Sequence, residues 1–152
     1  MSPKTPPTLE YLRQKYLGAE VLRTSQKVEI GAINKFLDAI GNADPQHSTD
    51  QPNEHKSEKH IVAPPTFLRT LNAEHPTQLN EFPYDRIFDG GSEWEYLNPV
   101  CSDDIISAVT SITRIYERTG RSGQLLFIVT ETTYTNQHNR IVAKQESTSI
   151  KY

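Results

Sequence analysis

Polar and hydrophobic residues alternate along three stretches in the last third of the chain, 104–117, 125–135 and 141–152. All three are rich in β-branched residues and repeat with a period of two, which is typical of strands. In the first stretch the alternation places Ile106, Ala108 and Ile112 on one face and Ile105, Val109 and Ile115 on the other. Because short polar turns at 120–123 and 136–139 join the three stretches, the pattern predicts an antiparallel meander.

Helical spacing of apolar residues dominates the first part of the chain. It predicts a short helix from Leu9 that ends near Gly18, then an extended segment over 19–29. A continuous apolar stripe predicts a second helix over 30–40, which Gly41 terminates. A further helix is predicted over 65–73, because Pro64 and Pro65 suit a helix start and the following residues are apolar. Residues 94–97 are predicted to be a strand.

These elements indicate one domain of the α+β class, because 152 residues leave little room for two independent cores. We expect residues 1–8 to form a flexible tail, residues 9–152 to form the domain, and 44–62 to be a long polar loop within it. Hydrophobic residues make up only 35% of the chain. This favours a domain that buries part of its sheet against a partner chain over a monomer with a polar surface.

The composition excludes several classes of partner. Net charge is −3 and basic residues are scattered, so nucleic acid is not expected. There is no apolar run of the length that crosses a membrane and no signal-peptide core near the N-terminus, so no membrane association is expected. Cys101 is alone, which fits a reducing cytoplasm. His55 and His60 match no zinc-binding spacing, so no metal site is predicted.

The segment 36–47 is the first candidate for chemistry. Gly41 and Pro45 force a turn at the helix end, so Asn42 and His47 leave the helix close together and can face one cavity. A histidine is suited to proton transfer near neutral pH. The alternative is structural, since Asn after Gly commonly ends a helix, Asp-Pro is a common turn, and a lone His is usually solvated.

Two further segments are candidates for binding. The helix start at Ala63–Phe67 offers backbone N–H groups that can hold an anionic or carbonyl oxygen, although Pro at a helix start also serves local stability. Gly90 and Gly91, expected to precede a strand, allow close approach of the backbone to a ligand or another chain, or else form a simple turn.

Taken in order, four segments resemble the MaoC-like dehydratase family, in particular its N-terminal, fatty-synthase-type dehydratase domain. They are FLDAIGNADPQH (36–47), APPTFL (63–68), DGGSEWEYLNPVCSDD (89–104) and RSGQLLFIVTETTYTNQHNRIVAKQ (121–145), and the likeness covers residues 9–152. The resemblance implies a hot-dog fold, a bent antiparallel sheet around a central helix that would begin at Pro65. It also implies that two hot-dog domains pair, as a homodimer or with a sister subunit.

The resemblance further implies a substrate and a reaction. The substrate class is an acyl thioester of coenzyme A or carrier protein, and the reaction is reversible hydration of a trans-2-enoyl group to a 3-hydroxyacyl group, with no cofactor. The residues that would contact substrate are Pro45, Pro64, Pro65, Thr66, Phe67, Gly90 and Gly91.

Two positions depart from the family motif G-D-x-N-P-x-H, in which the Asp and the His hold water and transfer protons. The matching residues run from Gly41 to His47; Asn42 replaces the Asp and Asp44 replaces the Asn, so the segment reads N-x-D instead of D-x-N. A carboxamide orients water but accepts no proton near neutral pH. Three hypotheses follow: a binding subunit whose sister subunit is catalytic, an active (R)-specific enoyl-CoA hydratase that uses His47 and Asp44, and an acyl-CoA-binding protein or thioesterase.

Overall fold

The structure of the chain, a computed structural model, describes residues 7–41, 61–71, 76, 80–121 and 123–152. In chain order its elements are α1 (Leu9–Tyr16), β1 (Glu20–Lys27), α2 (Ile30–Ile40), a 3₁₀ helix (Pro65–Thr70), β2 (Ile87–Tyr96), β3 (Ile105–Gly120), β4 (Gly123–Thr135) and β5 (Ile141–Lys151). Within these ranges no helix is long and apolar enough to cross a membrane. Residues 1–6 of the predicted tail and 42–60 of the predicted polar loop lie outside the described ranges.

The strands form one antiparallel sheet in the order β1-β3-β4-β5-β2. The predicted meander is confirmed, since β3, β4 and β5 are neighbours in space as they are in sequence. The α+β class is confirmed as well, because helices pack on one face of this sheet. β1 and β2 are its two edges, and each pairs on one side only within the described chain.

The face that receives the helices, called the inner face here, carries Ile106, Ala108 and Ile112 as predicted. The prediction for Ile115 was wrong, because it also lies buried on this face opposite Ile128. The register shifts between Ile112 and Arg114. The extra residue reverses the side-chain alternation beyond that point, as a β-bulge does.

Each helix is fixed at one end by local chemistry. The side chain of Thr8 accepts a hydrogen bond from the N–H of Tyr11 at 3.3 Å and so caps α1. Gly41 ends α2 at φ 64°, a left-handed conformation that suits glycine. Both predicted helices are confirmed.

The helices divide the core into two clusters. The α1 cluster contains Leu12, Tyr16, Val21, Phe82, Ile112, Ile115, Leu126 and Ile128. The α2 cluster contains Val28, Ile33, Leu37, Ile61, Ala63, Phe67, Leu68, Leu71, Val100, Ile106, Ala108, Tyr134, Val142 and Ala143. Along β3 and β4 the two clusters follow one another, with Ile106, Ala108 and Tyr134 in the α2 cluster and Ile112, Ile115, Leu126 and Ile128 in the α1 cluster.

Ile61 is buried, and Val62 forms an isolated antiparallel bridge with Cys101. Assigning these two residues to the polar loop was therefore wrong. The predicted helix over 65–73 is a 3₁₀ helix that ends at Thr70, while residues 72 and 73 are outside the described ranges. Its hydrogen bonds span three residues, as in the 2.8 Å bond from the N–H of Phe67 to the carbonyl of Pro64.

Strand β2 starts earlier than predicted, so Gly90 and Gly91 lie inside it and form a bulge against β5. A Cβ atom on Gly90 would lie 2.9 Å from Cγ2 of Thr148. Gly91 adopts φ 99°. The close backbone approach expected at this pair is therefore made, at Gly90, to a strand of the same chain.

Helix α1 is also held to the residues that precede β2. The Nζ of Lys15 lies 2.6 Å from Oε2 of Glu81, and the hydroxyl of Tyr16 donates to the same oxygen. The hydrogen bonds from Lys15 and then Tyr16 lower the pKa of the Glu81 carboxyl below its ordinary value.

Gly90→Ala is expected to lower the free energy of unfolding by about 1–3 kcal/mol, because the new methyl group overlaps Thr148. Gly31→Ala is the matched control, since nothing lies within 4 Å of its added Cβ in helix α2. There the lower entropy of the unfolded chain should raise stability by about 0.4–1 kcal/mol. Urea unfolding measures both, and equal effects of the two variants would contradict the close approach.

Glu81→Gln is expected to destabilise the protein near pH 7 and to lose this effect in acid. A carboxyl with a lowered pKa stabilises the fold above its ordinary pKa of 4.5, and this contribution disappears as pH falls through the lowered value. Urea unfolding of the wild type and the variant near pH 7 and about pH 3 measures the gap. Glu95→Gln, on an exposed side chain of β2, serves as control, and a gap that persists unchanged in acid would contradict the expectation.

Candidate functional site

A cavity of about 370 Å³ lies between the chain that leads into the 3₁₀ helix and the loop that follows β2. Its lining residues are Val62, Ala63, Pro64, Pro65, Leu68, Tyr96, Leu97, Asn98, Pro99 and Val100. Most of these are aliphatic, and the polar side-chain groups among them are the Tyr96 hydroxyl and the Asn98 carboxamide. A concave, mostly apolar site with few polar groups is typical of small-molecule binding.

Backbone hydrogen bonds hold the two walls of this cavity together. The N–H of Ala63 donates to the carbonyl of Val100 at 2.8 Å. The N–H groups of Leu97 and Asn98 both donate to the carbonyl of Val142, at 2.9 and 3.1 Å. These bonds tie both walls to the sheet, so the cavity is formed before any ligand arrives.

Asn98 is oriented by one end of its side chain. Its Nδ2 donates to the carbonyl of Ile141 at 2.6 Å. That bond fixes the carboxamide plane and leaves Oδ1 without a donor among the described residues. Asn98 therefore contributes a hydrogen-bond acceptor at the cavity. The sequence analysis did not predict this role.

The structure brings part of the predicted helix-start site to this cavity. Pro64 and Pro65 line it, as expected for contact residues. Thr66 is exposed beside them and carries the first N–H of the helix, because neither proline has one. The N–H of Phe67 is already used by the carbonyl of Pro64. Thr66 is thus the backbone donor that this helix start presents.

Phe67 packs in the core and does not line the cavity. Its side chain is 2% exposed and meets the ring of Phe36 edge to face, with centroids 5.7 Å apart. The contact joins the 3₁₀ helix to α2, which ends at Gly41. The helix that leads into the predicted acid–base segment therefore packs directly against the helix at the cavity.

An aromatic stack extends from the cavity wall into the α2 cluster. The ring of Trp94 lies 5.7 Å from that of Tyr96 and 5.4 Å from that of Tyr134, close to parallel with both. Burial raises the pKa of the Tyr96 hydroxyl, and the charge of Arg69 opposes this. The Nε1 atom of Trp94 is buried and has no hydrogen-bond partner among the described residues. Sequence reasoning had assigned Trp94 only to a strand.

The remaining predicted residues fall into two groups. Gly90 and Gly91 do not line the cavity, because six strand residues, about 20 Å, separate Gly90 from Tyr96. Four predicted residues lie outside the described ranges, and their roles stay predictions: Asn42, Asp44, Pro45 and His47. In the described ranges no group of three or more His, Cys, Asp or Glu residues is placed to hold a metal ion.

Comparison with known sequences gives a family match over most of the chain. The family described as FAS1-like, dehydratase domain region, matches residues 15–145. A UPF0336 protein of Streptomyces coelicolor is 26% identical over 93 residues, which cover 58% of this chain and 62% of the relative. A UPF0336 protein of Thermobifida fusca is 27% identical over 115 residues, 72% of this chain and 76% of the relative. The match thus spans less than two thirds of the Streptomyces protein.

Comparison with solved structures gives the fold. The ChsH1–ChsH2 complex of Mycobacterium tuberculosis matches with a TM-score of 0.75 at 16% identity, over 95% of this chain and 93% of that chain. The HadBC complex of the same organism, a 3R-hydroxyacyl-ACP dehydratase, matches with a TM-score of 0.66 at 19% identity, over 88% of this chain and 99% of that chain. The R-hydratase PhaJ1 of Pseudomonas aeruginosa matches with a TM-score of 0.69 at 14% identity, over 94% of this chain and 84% of that chain. The expected hot-dog fold is confirmed.

Phe67→Ala is expected to lower the free energy of unfolding by about 3–5 kcal/mol, because it opens a void between the 3₁₀ helix and α2. Leu97→Ala, at a residue that lines the cavity and is 45% exposed, should cost less than about 1 kcal/mol. Chemical denaturation compares the two variants. Similar losses would show that Phe67 does not hold the two helices together.

Proposed function

The chain belongs to the FAS1-like dehydratase family, and we propose from this premise that it binds enoyl and 3-hydroxyacyl thioesters as a subunit of a hydratase. The carrier of the acyl group would be coenzyme A or a carrier protein. The observation that carries the proposal is the preformed apolar cavity at the start of the 3₁₀ helix. It combines aliphatic walls for an acyl group with a few fixed polar groups for the thioester.

The thioester end of the substrate would lie near Thr66. During hydration the carbonyl oxygen of an enoyl thioester gains negative charge, and a backbone N–H aimed at that oxygen stabilises it. Thr66 does not itself line the cavity, but it follows Pro64 and Pro65, which do, and its N–H has no acceptor among the described residues. Hydration only adds water and moves protons, so the proposed reaction requires neither a redox cofactor nor a metal ion.

The proton transfer is proposed to come mainly from a sister subunit. In the sequence, Asn42 stands where the family motif has its Asp, and a carboxamide accepts no proton near neutral pH. His47 is retained, but it would lack the carboxylate that shares the proton transfers in the family motif. This combination favours a subunit that shapes the substrate site over one that performs the full reaction.

Strand β2 is the proposed seam with that partner. It pairs only with β5 within the described chain, and Phe88, Tyr96 and the following Leu97 expose 41–56% of their area. The other edge, β1, carries no aromatic side chain and exposes the ion pair of Arg23 with Glu20. Solved neighbours that are complexes of two chains, ChsH1–ChsH2 and HadBC, support a second hot-dog subunit.

An active enzyme is the second candidate, because His47 is present and two structural neighbours are R-hydratases. In that case Asp44, two residues beyond Asn42, would supply the carboxylate. For either candidate we place the protein in the cytoplasm, where the single Cys101 would stay reduced.

Hydration of crotonyl-CoA by the purified chain separates the two candidates. The binding-subunit proposal predicts turnover at least about 100-fold below that of ordinary hydratases, because an acid–base group contributes a factor of about 10²–10⁴ to the rate. Asn42→Asp should then raise the rate by about 10²–10⁴, alone or with the sister subunit. Asn139→Asp, on the exposed hairpin between β4 and β5, is the matched control. Ordinary turnover by the wild-type chain would contradict the proposal, and loss of that turnover in Asp44→Ala would establish the second candidate.

A further inference from the structure

The face of the sheet opposite the helices, called the outer face here, carries large apolar side chains near the turn between β3 and β4. The cross-strand register places four of them in one row, called the aromatic row: Tyr116, Phe127, Ile150 and Phe88. The first two rings stack with centroids 4.9 Å apart, and Phe88 is 56% exposed. None of the four belongs to either core cluster. Because the outer side of an antiparallel sheet is usually polar, such a row marks a contact surface.

Two exposed arginines border the aromatic row at the end of the sheet. Arg118 lies two residues beyond Tyr116, with its guanidinium carbon 5.3 Å from the centroid of that ring and 5.6 Å from that of Phe127. Arg86 lies two residues before Phe88 and 5.8 Å from the ring of Tyr152, which stacks on Phe88. Neither arginine forms an ion pair in the described ranges. The aromatic rings therefore hold two uncompensated positive charges beside the row.

A row of carboxylates crosses the outer face on the other side of the aromatic row. The register aligns its members, called the glutamate row, across all five strands: Glu20, Ser111, Glu131, Glu146 and Glu93. Arg23 pairs with Glu20, and Arg114 pairs with Glu146. Glu131 and Glu93 are exposed and have no ion pair among the described residues. Like charges opposite one another across strands are destabilising, so this row favours a cationic partner.

One further row separates the aromatic row from the glutamate row. Its members, called the middle row, are Arg114, Val129, Thr148 and Gly90. Side chains on one face recur every two residues, so successive rows lie about 7 Å apart. A line midway between the aromatic and middle rows therefore has the arginines about 10 Å away on one side and the glutamate row about 10 Å away on the other.

This spacing makes the outer face complementary to itself. A two-fold axis along that line, between two facing sheets, places the aromatic row of each copy on the middle row of the other. Phe127 then meets Val129, and Phe88 meets Gly90, which has no side chain to obstruct it. The arginines of each copy lie over the glutamate row of the other. Opposite charges thus meet at both ends of an apolar centre, as in a specific interface.

The position of the charges also selects this axis over the other one that the sheet allows. An axis parallel to the strands would place each row on the same row of the second copy. Glu131 and Glu93 would then face a second set of carboxylates, and Arg118 and Arg86 a second set of guanidinium groups. Because facing like charges cost several kcal/mol at an interface, that arrangement is disfavoured.

We propose that the outer face is an isologous interface between two copies of this chain. A second copy fits because both halves of the charge pattern lie on one face, and a two-fold contact uses each half twice. Arg118 would lie over Ser111 of the second copy, within reach of Glu131, whereas Glu20 is already paired with Arg23. The contact uses a face of the sheet and the proposed sister subunit uses its β2 edge, so this inference does not rest on the proposed function.

Sedimentation velocity of the purified full chain tests the proposal between about 1 and 100 μM, which covers dissociation constants of that order. The wild type should show a reversible doubling of mass. Arg118→Glu and Glu131→Arg should each raise the dissociation constant of that doubling at least about tenfold, because each sets like charges against one another. The double variant exchanges the two charges and should restore the association. Arg140→Glu, on the exposed hairpin between β4 and β5, is the matched control and should leave it unchanged.

Three results would overturn the inference: a monomeric wild type at every concentration, a doubling that both single variants leave unchanged, or a folded double variant that does not associate. Loss of the doubling in Arg140→Glu would also overturn it, because net charge alone would then control association. Melting temperatures show that each variant is folded, and Glu131→Arg serves where loss of the ring contacts of Arg118 perturbs the fold. None of these results bears on the binding of acyl thioesters, which is measured separately.

Discussion

The pairing of residues 61–63 with residues 100–102 is the interaction on which the candidate site depends. Ala63 donates to Val100, Ser102 donates to the carbonyl of Ile61, and the Ser102 hydroxyl accepts from the N–H of Ile61, all at 2.8–3.0 Å. This short antiparallel contact carries the chain onto the end of the sheet just before the two prolines. Without it, the 3₁₀ helix would have no fixed distance from the loop after β2, and the cavity between them would not exist. Buried backbone groups cost free energy when unpaired, so the contact is strongly specified.

The rest of the inner face is organised around this contact. The α2 cluster extends from it under Phe67 and Leu68, while α1 covers the far half of the sheet. The bulge in β3 keeps Ile115 in that far half, and the bulge in β2 turns Asp89 inward. Two local irregularities of the backbone thus decide which side chains the inner face presents.

Much of the fold was predictable because it rests on periodicity. The meander follows from alternation over long strands, and α2 follows from its apolar stripe and from Gly41. The errors fall where periodicity is absent or interrupted. The bulge at Thr113 leaves no signal in a run that stays β-branched, so Ile115 was assigned to the wrong face. Ile61 and Val62 follow a long polar stretch and acquire their partners only through contacts some 40 residues away.

The candidate site was predictable only in part. Proline chemistry marked the helix start, and two of its residues do line the cavity. Tyr96 and Asn98 were missed, since their role comes from the loop geometry after β2.

The central claim is that this cavity holds an acyl thioester, and calorimetric titration with butyryl-CoA, a saturated ester that cannot be hydrated, tests it most directly. Leu97→Trp fills the cavity from an exposed position. The account predicts saturable binding to the wild type, no binding of equal strength by free coenzyme A, and loss of binding in the folded variant. Unchanged affinity in Leu97→Trp, or no binding to the wild type, would contradict it.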